Sequence, residues 1–195
     1  MSAAGFEFHP LTPGRWDDLE ALFGGRGVCG GCWCMFFRQG SSEFKANKGE
    51  TNRRLFREIV ESGEPPGILA YRDGAAVGWC AVAPRDKYPR LDRSRTMRRL
   101  DTLPVWSIVC LFVSRQARRR GLSVELVRAA VSYAAGRGAE VVEAYPSVIR
   151  QDTLPDPFVY MGLPQIYERA GFETAAEPSP ARRIMRCNTA KQIVE

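Results

Sequence analysis

The chain has 195 residues and a mass of 21.8 kDa, with 45% hydrophobic and 26% charged residues, which excludes a disordered chain and fits one domain over residues 1–195. The longest strongly apolar run, Val105–Val113, is far shorter than the roughly 20 residues a membrane helix needs. The net charge is +6, from 28 Lys+Arg against 22 Asp+Glu, and favours a polyanionic partner, whether nucleic acid, acidic lipid or a phosphorylated cofactor.

The opening MSAAGFEFHP lacks the basic and apolar regions of a secretion signal, so a soluble, cytoplasmic protein is expected. Phe6–Leu11 alternates like a first strand. Pro13 opens a helical stretch with Trp16, Leu19, Leu22 and Phe23 on one face. A glycine-rich loop over Gly24–Gly31 runs into Cys29-Gly-Gly-Cys32-Trp33-Cys34. A second helix is predicted over Glu50–Glu61, stopping at Gly63 before Pro65-Pro66. Gly67–Arg72 and Ala76–Ala83 flank Asp73-Gly74, a strong hairpin signal.

Arg85–Asp101 reads as a basic, irregular segment. It is followed by a buried-type strand (Val105–Val113), a helix (about Gly121–Ala135) and a short strand (Glu140–Tyr145). The helix carries Ser123, Leu126, Val127, Ala130, Val131 and Ala134 on one stripe. Pro146–Pro157 reads as a loop. A short helix over Pro164–Ala170 ends at Gly171, before strand candidates Phe172–Ala176 and Arg182–Cys187. The expected class is mixed α/β (α+β) with a parallel strand–helix–strand crossover.

Arg118-Arg119-Arg120-Gly121-Leu122-Ser123 joins the buried strand to the helix. A loop feeding a helix N-terminus presents unpaired backbone N–H groups and the positive end of the helix dipole. Gly121 allows close approach to the backbone, Ser123 is small, and three arginines add charge. The arrangement suits a pyrophosphate. A solvated basic turn would carry the same string, which lacks both the dinucleotide fingerprint and the P-loop signature.

In its context the string resembles the acyl-CoA-binding motif of the GCN5-related N-acetyltransferase (GNAT) superfamily, Arg/Gln-x-x-Gly-x-Gly/Ala. Here it reads Arg118-x-x-Gly121-x-Ser123, serine replacing the last small residue. Tyr167-Glu168-Arg169-Ala170-Gly171-Phe172 is similar to the family's Tyr-Glu-x-x-Gly-Phe signature, and the two occur in the family's order. The first third, with its Cys-Trp-Cys cluster, resembles a group of bacterial members.

The resemblance implies a mainly antiparallel central sheet with flanking helices. It also implies transfer of an acetyl group from acetyl-CoA to a primary amine, by direct attack in a ternary complex. Carried over by position, Leu111, Phe112 and Val113 would hold the pantetheine arm and thioester oxygen. The N–H groups of Arg119, Arg120, Gly121, Leu122, Ser123 and Val124, beside Arg118, would cradle the pyrophosphate. A lysine-like amine has a pKa of about 10.4, so its neutral form costs about 4.6 kcal/mol at pH 7. The strand position where many members keep a glutamate is Ser107, which leaves Glu143 or a water chain as base. Tyr167 stands where the family keeps its general acid. An acyl-CoA-binding regulatory module without turnover is the alternative that the residue at Ser107 keeps open.

Six cysteines read as reduced thiols or metal ligands rather than a disulfide frame. Cys29-x-x-Cys32-x-Cys34 has no fourth ligand nearby in sequence, so no metal is expected. Packed thiols and an acceptor-pocket lining both remain open. In the superfamily this region borders the acceptor, which implies Trp33 and Cys34 as substrate contacts. Arg85–Arg99 holds seven basic residues and one aromatic, Tyr88. That is no stacking platform for single strands, so a nucleic-acid partner is not expected. A solvated loop, or contact with the cofactor's 3′-phosphate or an acidic acceptor, would account for it. The expected partner is a small-molecule or peptide amine acceptor, with the protein a monomer or homodimer.

Overall fold

The structure, a computed structural model, describes residues 5–149 and 160–191. Its strands are β1 (Glu7–Pro10), β2 (Gly67–Arg72), β3 (Ala75–Pro84), β4 (Trp106–Val113), β5 (Val141–Ala144), β6 (Glu173–Ser179) and β7 (Arg182–Asn188). They form one sheet in the order β1-β2-β3-β4-β5-β7-β6. β4 and β5 pair in parallel; the other neighbours are antiparallel. This is the expected mixed sheet with one crossover.

The crossover helix is α5 (Leu122–Ala135). Its buried stripe is Leu122, Leu126, Val127, Ala130, Val131 and Ala134. Leu122, one turn before Leu126, takes the place expected of Ser123, which lines the cleft instead. The stripe packs on Ile68, Cys80, Val82, Ile108 and Val142 from one face of the sheet. Fully burying each large aliphatic side chain is worth about 1.5–3 kcal/mol over leaving it exposed.

The opposite face is covered by α1 (Trp16–Phe23) and α3 (Glu50–Glu61). Trp16, Leu19, Phe23, Phe56 and Val60 pack there on Leu69, Trp79, Ala81 and Val109. Alternation along β3 and β4 divides the two cores: Ile108 faces α5, whereas Val109 faces α1 and α3. The chain from Gly24 to Gly40 crosses this face in successive turns, closed by Cys32 N–H on Cys29 O and Met35 N–H on Cys32 O.

Two short helices escape the sequence reading: α2 (Ser41–Ala46), with Phe44 buried, and α4 (Pro89–Asp92). Each is too short to show a period. The second lies in the segment expected to be irregular and solvated, and that expectation needs correcting at its start. Arg85 is 2% exposed and is tied to Glu143, Asp92, Tyr145 and the Met97 carbonyl. A short helix, α6 (Pro164–Arg169), precedes β6. The expected loop Pro146–Pro157 falls mainly outside the described residues; within it, Ser147 bridges to Arg182.

Candidate active site

β4 and β5 pair only over Trp106–Ile108 with Val142–Ala144. β5 then ends, while β4 continues to Val113 on β3 alone. A register shift at Ala81/Val82 leaves Val109 as an extra residue in β4, a bulge that bends the strand. Beyond it opens a cleft of about 780 Å³. One wall is Val109–Val113 with Arg115, Arg118 and Ser123. The other combines Val28, Cys29, Cys32, Cys34, Phe36 and Phe37 with Phe44 and Lys48, and Tyr160, Gly162, Leu163 and Ile166 close it.

Of the residues expected to hold a cofactor, the cleft brings together Leu111, Phe112, Val113, Arg118 and Ser123. Arg119, Arg120, Gly121, Leu122 and Val124 do not line it with side chains, and Leu122 lies in the core. Their expected contribution is backbone N–H. Arg119 (φ 60) and Gly121 (φ 78) are both left-handed, which turns the chain abruptly into α5. Val124 departs from that expectation, because its N–H donates to the Gly121 carbonyl at 3.0 Å; the expected cradle is thereby cut back to the N–H groups before it, which open the helix with no helical carbonyl one turn earlier.

The Leu111 N–H departs from expectation. It donates to the Tyr160 carbonyl at 2.6 Å, so it does not stand free for a thioester oxygen. The Val113 carbonyl accepts from Arg118 Nε at 3.2 Å. The bond to Tyr160 is informative about fit. The β4 edge beyond Ile108 lacks a strand neighbour on that side, and it takes up an amide carbonyl of the kind found in a pantetheine arm.

Trp33 and Cys34 separate. Trp33 is 2% exposed, stacked against Trp16 at 6.2 Å and tilted on Phe23 at 5.7 Å. It belongs to the core and not to the cleft, contrary to the expected acceptor contact. Cys34, next in the chain, does line the cleft. Both are left-handed (φ 42 and 56), and Cys34 packs at the edge of the core that holds Trp33, where the cleft begins.

Glu143 is not on the cleft either. It is 1% exposed, accepting from Arg85 Nη1 at 3.1 Å, the Tyr145 hydroxyl at 2.6 Å and Arg186 Nε at 2.8 Å. Ser107 is fully buried beside it, 2.9 Å from the Tyr145 hydroxyl. The carboxylate thus neutralises two arginines, and no room remains for an acceptor amine. Tyr167 is buried under the closing wall, its hydroxyl donating to the Met161 carbonyl at 2.9 Å. Burial holds that phenol well above its ordinary pKa, so it stays a neutral donor.

Sequence reasoning did not place Cys110 or Tyr160 at the site. Cys110 lines the cleft with Cys34, and the Trp79 indole N–H donates to Cys34 Sγ at 3.0 Å. Cys110, helped by Trp79 and the Arg38 charge, holds the Cys34 thiol below its ordinary pKa against the cost of burial. Cys110 is raised, by Cys34 and then by burial. Burial pushes Cys32 up to about 11. Among the described residues no three His, Cys, Asp or Glu side chains gather as metal ligands. Nor, among them, is any helix long and apolar enough to cross a membrane.

The family model described as acetyltransferase (GNAT) family matches residues 33–152, which hold the split parallel pair, the bulged strand and the left-handed turn into the crossover helix. The chain belongs to the GNAT family. Solved GNAT structures share its fold at low identity. A GNAT-family acetyltransferase from Streptococcus agalactiae is 15% identical with a TM-score of 0.56, over 94% of this chain and 95% of that one. One from Listeria monocytogenes is 12% identical, also at 0.56, over 94% of each chain. The PaiA N-acetyltransferase of Thermoplasma acidophilum, in complex with coenzyme A, is 15% identical at 0.51, over 94% and 98%. No curated protein sequence matches the chain.

Proposed function

We propose that this GNAT protein, one domain over residues 1–195, is an N-acyltransferase that moves an acetyl group from acetyl-CoA to a primary amine. The acceptor is a small molecule or a peptide, attacked directly in a ternary complex. The observation that carries the reading is the cleft itself. A single space of about 780 Å³ touches both the opened β4 edge and the α5 N-terminus, while its far wall is apolar and aromatic. Two reactants can lie in it together. The coenzyme A bound to the PaiA relative supports an acyl-CoA in this cleft.

Acetyl-CoA supplies an acyl carbon already activated as a thioester. In this reading Arg118 and the backbone N–H groups of Arg119–Ser123 hold the pyrophosphate, and Lys48 and Arg115 add positive charge to the same cleft. The β4 edge at Leu111–Val113 binds amides of the arm, with the Leu111 N–H released by Tyr160. Phe36, Phe37 and Phe44 receive the acceptor's apolar body and exclude water from it. Tyr167 donates a hydrogen bond to the departing sulfur. A cytoplasmic setting, which keeps free cysteines reduced, fits the six free thiols.

Thermal unfolding with acetyl-CoA, against adenosine diphosphate as control, tests the reading. Saturation at about 100 Kd adds about 2.7 kcal/mol, a rise of several degrees. Amine-dependent release of the coenzyme thiol then follows from an amine panel. Absence of a shift at millimolar acetyl-CoA rejects the proposal. A shift without release for any amine favours a binding module without turnover.

A further inference from the structure

Among the described residues that line the cleft, none carries a carboxylate or an imidazole. Ser107 and Glu143 are sealed in the core, the latter between two arginines. A primary alkylamine reaches the site as an ammonium ion at pH 7 and must lose a proton before its nitrogen can attack.

One group on the cleft wall is built to take that proton. The Trp79 indole N–H from β3 donates to the Cys34 sulfur at 3.0 Å, and the sulfur lines the cleft beside Cys110 of β4. A sulfur that accepts from an indole N–H is favoured in its anionic form. The backbone accepts strain to put it there. Trp33 and Cys34 are consecutive non-glycine residues with positive φ, a conformation that costs on the order of 1 kcal/mol or more at each. Cys110 adjoins the Val109 bulge, next to the strand edge assigned to the thioester arm.

We propose that Cys34 is the general base of the transfer, its thiolate taking the proton from the acceptor's ammonium group. The inference rests on the acyl-CoA reading above. The proton moves from nitrogen to Cys34 Sγ and frees the lone pair. The nitrogen–carbon bond forms as the carbon–sulfur bond of the thioester breaks, and the electron pair leaves with the coenzyme's sulfur. The new amide nitrogen gives its surplus proton to that sulfur, while the proton on Cys34 passes to solvent. One ammonium and one thioester yield one amide, one thiol and one proton.

The groups facing Cys34 agree with this assignment. Arg38 in the same loop favours the anion. Cys32 in the preceding turn, Cys80 on β3, Cys110 on β4 and Tyr88 at the start of α4 are all raised, so they stay neutral where Cys34 ionises.

Two measurements test the proposal. Iodoacetamide labelling of the wild-type protein at neutral pH, read by peptide mass, is expected to modify Cys34 at least about tenfold faster than the more exposed Cys29. Faster labelling of Cys29 overturns the proposal. Turnover is then compared for phenethylamine, charged at pH 7, and phenylhydrazine, largely neutral there. Cys34→Ser is expected to lower kcat about 30-fold or more with the first and about threefold or less with the second. The thermal shift given by acetyl-CoA stays unchanged.

Equal losses on both amines overturn the proposal, as a structural role would give them. So does an acetyl group found on Cys34 after incubation without amine, which would make it a nucleophile. A wild-type protein stabilised by acetyl-CoA but inactive with both amines overturns the base and leaves the acyl-CoA site standing. No stabilisation at all removes both readings together.

Discussion

A Cβ built on Gly162 would stand 2.9 Å from Cε2 of Tyr167 and 3.4 Å from its hydroxyl oxygen. Gly162 lines the cleft, so its bare backbone lets the Tyr167 ring pack close behind the space where the reaction is proposed to occur. A side chain there would crowd the Tyr167 ring from the cleft side.

Gly162→Ala is therefore expected to destabilise the protein by about 2 kcal/mol or more, combining a left-handed φ of 75 with overpacking against the ring. Gly121→Ala serves as the comparison. Its φ is 78, but nothing lies within 4 Å of the added carbon, so only the backbone term of about 1 kcal/mol applies. Urea unfolding of the two variants measures the difference. Equal losses would mean that the Tyr167 contact contributes nothing.

Tyr167→Phe is expected to lower kcat several-fold with little change in acetyl-CoA affinity. The hydroxyl stays protonated through the working range because burial raises its pKa, so no pH limb of kcat near neutrality should vanish with it. Steady-state rates at several pH values check this. Unchanged turnover throughout would remove the donor role and leave a tyrosine that satisfies the Met161 carbonyl.

Glu143→Ala should act on stability rather than chemistry. It deprives Arg85, 2% exposed, of its buried partner and takes one acceptor from Arg186. Losing one member of a buried ion pair costs about 3–5 kcal/mol. The loss here should sit near the lower figure, because Asp92 and Asp101 still pair the two arginines. Turnover at a temperature where the variant is folded should stay within about threefold of wild type. A stable variant with abolished turnover would return Glu143 to the catalytic machinery.

Alkaline pH should weaken the fold. Burial raises Cys32 to about 11 and raises Cys80 as well, and Cys110 is raised by Cys34 and then by burial, whereas unfolded thiols ionise near about 8.5. Above that pH the unfolded chain binds fewer protons than the native one, so stability falls as pH rises. This contribution is complete below about 8.5 and is lost progressively toward 11. Cys34, lowered instead, opposes it in sign, its contribution fading as pH falls through its native value. Urea midpoints at pH 7.5 and 10 measure the balance, and Cys80→Ala should flatten the dependence. Equal midpoints would contradict the burial of these thiols.

Sequence alone determined the elements whose signals are local and repeated. The Asp73-Gly74 hairpin, the stripe of α5 and the apolar run of β4 each show their period within about ten residues, and helix and strand follow from it. The Arg118–Ser123 turn into α5 was legible for the same reason, since a helix start is built from contiguous residues. Only the tertiary structure decided what meets across distance. Of two neighbours in sequence, Trp33 came to lie in the core and Cys34 at its edge, where the cleft begins. Cys34 met Trp79, 45 residues on, and Cys110 because β3 and β4 are adjacent strands. Glu143 lost its candidacy as base to Arg85 and Arg186, 58 and 43 residues away, because a buried and a half-buried cation demand an anion wherever the sheet brings them together. Periodicity encodes a segment's own conformation; the charge or thiol that will face it is set by strand order and register, which no local pattern carries.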